Sequence, residues 1–596
     1  MISFLRNQKL LVWLGIIVLL LPLLNGCAKE KEASPKKQAG GSDELATLVL
    51  KNGIVHTMED DQPTAEAIAA KDGKIIFVGS TKDVENYVGK GTKVIDLKGK
   101  MVSPGLMDGH THIPGLWTTK LFEVDLSGLK THEEYVKAVA DFRKKHPDVK
   151  IITGTGWKNG PYKQADGTNP GPKKEDLDAI VSDIPVILYS IDNHSVWVNS
   201  KTLEMSKITK DTQAPKGGMI EHNSDGSPRG VLREGASNLV DQVQALFTLT
   251  KDQYKEAILK YQEEMHSFGM TGIMTFQRTD DKMIDILGEL EKEGKLSMRV
   301  SGTYFIDPGS NPEAEVEKMK KAQQKYHSNW LQVHTVKLFA DGVTEGKTAL
   351  FLEPYTEGAG MGRDFHGDSV WKIDQFNQMV SAMDKAGIQV HIHAIGDGAV
   401  NMSLNAIESA VKANGERDAR HTITHISAIK DSDIARMKAL KVIASLQPFW
   451  FYKDQYYQLE SAMIGEDRAL AMYPARKIWD EGVLISGSSD YPPTPDYRPL
   501  NSIETGVTRN SPYPEEQDQD MVRNASQALT VQEMLQAVTK NVAYQIFREN
   551  DLGTLKVGKK ADMVVLDQDI TKINPKDISE TPVDYTIVDG KIVYKK

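Results

Sequence analysis

Short β-rich runs occupy both ends of the chain, and a long stretch of alternating strand and helix signals lies between them. Residues 46–102 read LVLKNGIVHTM, AIAAKDGKIIFVG and KVIDLKGKMVSPG in succession, cut by Asn-Gly, Asp-Gly and Lys-Gly turns. The C-terminal segment has the same texture, with GTLKVGKKADMVVLDQD and then VDYTIVDGKIVYKK. Hairpins this short are weak alone. The two ends, 46–102 and 545–596, are therefore expected to pair as one small β-sandwich. Between them, strand-length apolar runs are expected at 101–112, 272–276, 299–305, 335–342, 388–394, 422–427, 442–448 and 483–490. Helical stretches such as MVSAMDKAG and IARMKALK separate several of these runs. This rhythm predicts an α/β fold, a (β/α)8 barrel over 103–544. Residues from about 113 to 265 break the rhythm and read as a long insertion after the first barrel strand.

The extreme N-terminus follows another pattern. Arg6 and Lys9 precede an apolar run over 10–24, interrupted only by Gly15 and Pro22. The run is shorter than the roughly 20 residues a spanning helix needs, so a cleaved signal over 1–26 fits it. Leu24-Asn25-Gly26-Cys27 resembles a bacterial lipobox, which implies cleavage before Cys27 and lipidation of its thiol. An ordinary signal or a short anchor with an incidental cysteine is the plainer alternative. Residues 27–45 are polar, charged and rich in small residues, as a flexible tether is. The expectation is an extracytoplasmic protein held to a bacterial membrane by Cys27.

Composition narrows the picture further. A length of 596 residues suggests about four domains, whereas the pattern suggests a barrel with an insertion and a sandwich. The formal charge of −10 gives no global basic footprint for nucleic acid. Cys27 is the one cysteine in the chain, so a metal site would have to be built from nitrogen and oxygen ligands.

His110 and His112 close the first barrel-strand signal, two residues apart and so on one face of a strand. Alone, a His-x-His pair is equally a turn with surface histidines. Barrel sites, however, lie at the C-terminal strand ends. His393 and His425 stand at two later strand ends, and that position favours them over His391 and His421. Lys337 and Asp490 lie in the fourth and eighth strand segments.

Pro104-Gly105-Leu106-Met107-Asp108-Gly109-His110-Thr111-His112 resembles the first-strand motif of the amidohydrolase superfamily. Val336-Lys337-Leu338-Phe339-Ala340-Asp341-Gly342 is similar to the fourth-strand motif of amidohydrolase family 3, the branch that includes N-substituted formamide deformylases. His393-Ala394-Ile395-Gly396-Asp397, the segment from Arg420 to His425, Ser445-Leu446-Gln447-Pro448 and Gly487-Ser488-Ser489-Asp490 resemble later strands in the right order. So do the segment 192–200 and Gly558-Lys559-Lys560-Ala561-Asp562. The sequence departs from the family pattern at Asn193, Gly398 and Thr424, which puts substrate preference in doubt more than hydrolysis.

The resemblance implies a divalent metal, zinc or a similar ion, one or two in number. His110, His112, His393, His425 and Asp490 would be its ligands. Lys337 would join them as a carboxylated bridging ligand, because an ammonium cannot bind a cation. Otherwise Lys337 pairs with Asp341 or contacts substrate. Asp490 would also shuttle the proton. His194 and Trp197 are weak substrate-contact candidates, and Trp157, Phe449 and Trp450 lie in loops near the barrel mouth. Glu515, Glu516, Asp518 and Asp520 read as a solvated loop. The implied reaction is hydrolysis of a non-peptide C–N bond in a small molecule, whether an amide, an N-formyl or N-acyl compound or a cyclic amide. An exported solute-binding lipoprotein, or a barrel deaminase acting on a nucleobase-like ring, are the rival readings. The sequence does not indicate an oligomeric state.

Overall fold

The computed structural model describes residues 45–158, 160–162, 171–191, 195–215, 218–277, 282–494, 496–516 and 519–596. Cys27, the signal and nearly all of the tether lie outside the described residues, as does His194.

Eight parallel strands form the central sheet. They are β1 (Leu106–Thr111), β2 (Met270–Gln277), β3 (Arg299–Phe305), β4 (Leu331–Phe339), β5 (Gln389–Ala394), β6 (Thr422–His425), β7 (Ile443–Leu446) and β8 (Ile485–Gly487). Helices such as Pro312–Lys325, Ile373–Lys385 and Asp397–Asn414 follow successive strands, as in a TIM-type barrel. Strand β5 shows why these residues build it. Val390 and Ile392 join the apolar layer that the helices cover, while the alternate residues His391 and His393 make polar contacts.

The seam between β1 and β8 is sewn by the loop after β8. Asp490 N–H donates to the His110 carbonyl at 2.8 Å, and His112 N–H donates to the Tyr491 carbonyl at 2.9 Å. The buried carboxylate of Asp108 spans the same seam, accepting from the N–H groups of His110 and Ser489 at 2.9 and 3.0 Å and from the Ser489 hydroxyl. The strands come so close that a Cβ on Gly109 would lie 2.5 Å from Ser486 Oγ. The seam thus fixes His110, His112 and Asp490 relative to one another.

The two chain ends meet in a sandwich. One sheet holds Lys74–Gly79, Ala67–Lys71, Leu48–Lys51 and Lys93–Asp96. In the other, Met101–Pro104 pairs antiparallel with the C-terminal strand Met563–Leu566 and parallel with Ile54–His56. Leu48, Leu50, Ile68, Val102, Met563, Val565 and Ile587 share the core between the sheets. The single strand expected over 101–112 is two strands. At Gly105 the backbone N–H goes to the Asp562 carbonyl, and at Leu106 it goes to the Gly269 carbonyl, so the chain passes from sandwich to barrel there.

The insertion carries its own six-stranded sheet, from Met219–His222 through Ile152–Trp157 to Val124–Asp125, with one apolar cluster that includes Val124, Ile152 and Leu188 and another that includes Ile187, Val196 and Leu232. Its expected limit near residue 265 needs correction. The helix Lys251–Ser267 buries Ile258, Tyr261 and Met265 in the barrel's apolar layer and belongs with β2.

Candidate active site

A cavity of about 810 Å³ opens at the C-terminal ends of the barrel strands, and His110, His112, Lys337, His393, His425 and Asp490 all line it. Three of them converge. One donor atom each from His110, His112 and Asp490 lies within 4.8 Å of the other two. Asp490 Oδ1 is 3.2 Å from His110 Nε2 and 3.1 Å from His112 Nε2. Lys337 Nζ lies 3.3 Å from His110 Nε2. His393 and His425 face each other across the cavity wall with ring centroids 4.4 Å apart.

The partners of the other ring nitrogens set the tautomers. His112 Nδ1 lies 2.8 Å from the Phe276 carbonyl and must donate to it, which directs Nε2 at Asp490. His393 Nε2 donates to the Gly342 carbonyl at 3.0 Å, which leaves Nδ1 as its lone-pair nitrogen. His425 Nδ1 donates to Gln447 Oε1 at 2.9 Å, and the Gln447 amide is oriented by the hydroxyls of Ser488 and Thr424. His110 Nδ1 pairs with His391 Nε2 at 2.9 Å. His391 does not line the cavity, and His421 is tied to Asp384 at 3.0 Å and to the Val390 N–H at 3.1 Å.

Electrostatics favour neutral imidazoles. Burial holds His110 and His425 well below the ordinary histidine range and pushes His393 down to about 3, with the Lys337 charge adding to the effect on all three. Burial would raise the Asp490 carboxyl, but the hydrogen bond with His112 and the neighbouring basic side chains of His425 and Lys337 outweigh it and hold it below the usual carboxylate value. His112 Nε2 lies 3.1 Å from that ionised carboxylate. Two acceptors at that distance repel unless a cation or proton lies between them, and this donor set fits a divalent cation.

Burial pushes the Lys337 ammonium down to about 7. The expected alternative partner, Asp341, is occupied elsewhere: its oxygens accept the N–H groups of Leu350, Ile395 and Gly396 at 2.9–3.0 Å. A neutral amine at the mouth of the metal donors is the form that can react with carbon dioxide. Three residues of the site have left-handed backbone. His425 and Ile426 have φ of 77° and 46°, and Asp490 has φ of 55°.

Neutral buried histidines make the protein acid-labile. Above pH 6.5 the unfolded and folded imidazoles are both unprotonated. Below it the unfolded chain binds protons that folded His110, His393 and His425 refuse, so stability falls as pH falls from 6.5 towards the folded values. Each such histidine contributes about 1.4 kcal/mol per pH unit in that window. Urea midpoints of the metal-stripped protein should drop steeply between pH 6.5 and 5, and a flat profile would contradict the neutral assignment.

The weaker substrate-contact expectations fare differently. Trp197 is fully buried in the insertion core and donates its indole N–H to the Lys173 carbonyl at 3.0 Å, so it is not a cavity residue. Trp157 is buried in the same core. Phe449 and Trp450 do line the cavity, and Trp450 stacks on His425 at 5.4 Å. Glu516, read as part of a solvated loop, lines the cavity as well. Asp108, Phe276 and Gln447 are positioning groups that sequence reasoning gave no role. Asp108 stands two residues before His110, and Gln447 sits inside a quoted strand motif, so both were open to notice.

Comparisons with known proteins show the family and the fold. Residues 93–594 match the model of the Amidohydrolase family, family 3. The chain is 30% identical to Protein LONG AFTER FAR-RED 3 of Arabidopsis thaliana over 98% of this chain and 97% of that protein. It is 23% identical to the N-substituted formamide deformylase of Arthrobacter pascens over 93% of this chain and 99% of that one. Among solved structures, an uncharacterized metal-dependent hydrolase from Pyrococcus furiosus superimposes with a TM-score of 0.68 at 28% identity, covering 88% of this chain and all of that one.

Proposed function

On the footing that the chain belongs to the amidohydrolase family, we propose that it is a metal-dependent hydrolase of non-peptide C–N bonds in a small molecule, such as an amide, an N-formyl or N-acyl compound or a cyclic amide. The observation that carries this reading is the convergence of His110, His112 and Asp490 within 4.8 Å. Bound there, a divalent ion such as zinc would acidify a water molecule and polarise a substrate carbonyl, with His393, His425 and a carboxylated Lys337 completing its donor set.

The chain's own residues supply the rest. Asp490 stays ionised to low pH and can accept the proton of the attacking water. The same carboxyl can then deliver that proton to the leaving nitrogen. Phe276, stacked on His110 with centroids 4.0 Å apart, and Phe339, stacked on His393 at 4.5 Å, wall the imidazoles and exclude bulk water. Gln447 and the Phe276 and Gly342 carbonyls keep lone pairs directed away from the protein backbone.

A solute-binding protein gives no reason for this convergence. The test is turnover by metal-replete protein on a panel of N-formyl, N-acyl and cyclic amides, with free amine, formate and ammonia each measured. Amine released with a carboxylic acid supports the reading; ammonia released from a ring substrate alone would replace it with deamination. The name of the Arthrobacter relative makes N-substituted formamides a fitting first class.

The lipobox-like segment around Cys27 supports an extracytoplasmic, membrane-tethered placement. Among the described residues no helix is long and apolar enough to cross a membrane. Cells fed a labelled fatty acid should incorporate it into the wild-type protein and not into Cys27→Ala, and equal labelling of the two would contradict a lipid anchor on that thiol.

A further inference from the structure

The four histidines of the site are not held alike. His112, His393 and His425 each set one ring nitrogen against an oxygen: the Phe276 carbonyl at 2.8 Å, the Gly342 carbonyl at 3.0 Å and Gln447 Oε1 at 2.9 Å. A carbonyl oxygen can only accept, so it fixes a proton on that nitrogen. His110 differs. Its Nδ1 lies 2.9 Å from Nε2 of His391, a second imidazole, which can donate or accept. His391 stands on β5 beside Lys337 of β4 in the strand register and is fully buried. Its ring centroid is 4.5 Å from that of Phe276, the ring that also stacks on His110. Its other nitrogen, Nδ1, is buried and has no hydrogen-bond partner. Nothing else therefore dictates which His391 nitrogen carries the proton.

Two arrangements of the pair satisfy the 2.9 Å contact. In the first, His391 Nε2 carries the proton and donates it, and His110 is protonated at Nε2. That nitrogen lies 3.2 Å from Asp490 Oδ1 and 3.3 Å from Lys337 Nζ, and a proton there closes it to a cation. In the second, His110 Nδ1 donates and His391 accepts, and His110 Nε2 keeps its lone pair. Burial holds both rings neutral, so each has a single proton in either arrangement. Only the second arrangement makes His110 a ligand.

We propose that His391 is a positioning residue for the metal: it accepts the His110 Nδ1 proton and so holds His110 Nε2 open as a ligand. This rests on the reading of His110, His112 and Asp490 as the metal centre of a hydrolase. The role accounts for a buried histidine in the barrel interior that, unlike His393 two residues later, does not line the cavity. A leucine at position 391 would fill the space but leave the His110 N–H buried without an acceptor. A ligating histidine depends on such a partner for its orientation and basicity. Glutamine can replace the lost acceptor, since its side-chain carbonyl reaches as far as histidine Nε2, and Gln447 already serves His425 in this way.

Zinc affinity of the full chain, read by chelator competition at one pH, tests this in His391→Leu and His391→Gln. The leucine variant should bind zinc more weakly by about tenfold or more, and the glutamine variant should stay within about threefold of the wild type. Cobalt in place of zinc gives a second readout, because its visible absorption reports the ligand arrangement. The spectrum should keep its wild-type shape in the glutamine variant and change in the leucine variant. Nitrogen-15 NMR of the histidine-labelled, zinc-loaded wild type needs no substitution and places the shared proton on one nitrogen, which should be His110 Nδ1. A proton on His391 Nε2, wild-type zinc affinity in the leucine variant, or equal losses in both variants would overturn the proposal. A wild type that binds no zinc would overturn both this role and the hydrolase reading. Variants that behave as expected, in a protein that hydrolyses no amide, would leave the role of His391 standing and overturn the hydrolase reading alone.

Discussion

Asp490→Asn should lower kcat by about a thousandfold, as loss of a positioned acid–base group does, while the protein stays folded. Asparagine matches aspartate in shape and tolerates the φ of 55° found at this position. The backbone bond from residue 490 to the His110 carbonyl, which closes the barrel seam, is unaffected by the side chain. What disappears is the carboxylate 3.1 Å from His112 Nε2, and with it the group that can take up and return a proton. Turnover measured beside circular dichroism and thermal unfolding separates the two effects. A correctly folded variant with wild-type kcat would remove Asp490 from the chemistry.

Asp562→Ala should cost about 3 kcal/mol of stability or more, the range for breaking a buried ion pair by removing one partner. Arg299, at the start of β3, is 1% exposed. Its Nε and Nη2 reach the two Asp562 oxygens at 2.8 and 2.9 Å, and Nη2 also reaches Asp589 at 3.0 Å. Asp562 belongs to the C-terminal Gly-Lys-Lys-Ala-Asp motif, so this pair ties the base of the barrel to the sandwich. Truncation leaves a buried guanidinium with Asp589, the Asn329 carbonyl at 3.4 Å and the Trp330 face, 4.1 Å away, as its remaining support. Urea unfolding measures the loss. A decrease below about 1 kcal/mol would show that Asp589 suffices.

The barrel was legible because each of its strands is a short apolar run bounded by helix signals. Strand β3 coincides with its sequence expectation, and β5 differs from its own by a single residue at the start. Strand β1 was misjudged because MVSPGLMDGHT is continuously buried, and only pairing partners reveal that Met101–Pro104 and Leu106–Thr111 serve different sheets. Strand-end position singled out His110, His112, His393 and His425, the family resemblance added Lys337 and Asp490, and the structure brings all six to one cavity. The groups that orient them were hidden for a physical reason: their partners are set by closure of the fold. Asp108 acts across a separation of 381 residues on Ser489, and the Phe276 carbonyl acts 164 residues from His112. Trp197 misled because a tryptophan beside a family-like motif looks the same in sequence whether it faces a ligand or, as here, a core.

The central claim is that His110, His112 and Asp490 hold a divalent cation on which hydrolysis depends. Metal content per chain, measured by mass spectrometry on the purified protein and on His112→Ala, tests it most directly. The account predicts at least about one equivalent of a divalent metal in the wild type and its loss, together with activity, in the variant. A wild-type protein fully active without metal, or a His112→Ala variant that keeps its full complement and its turnover, would contradict it.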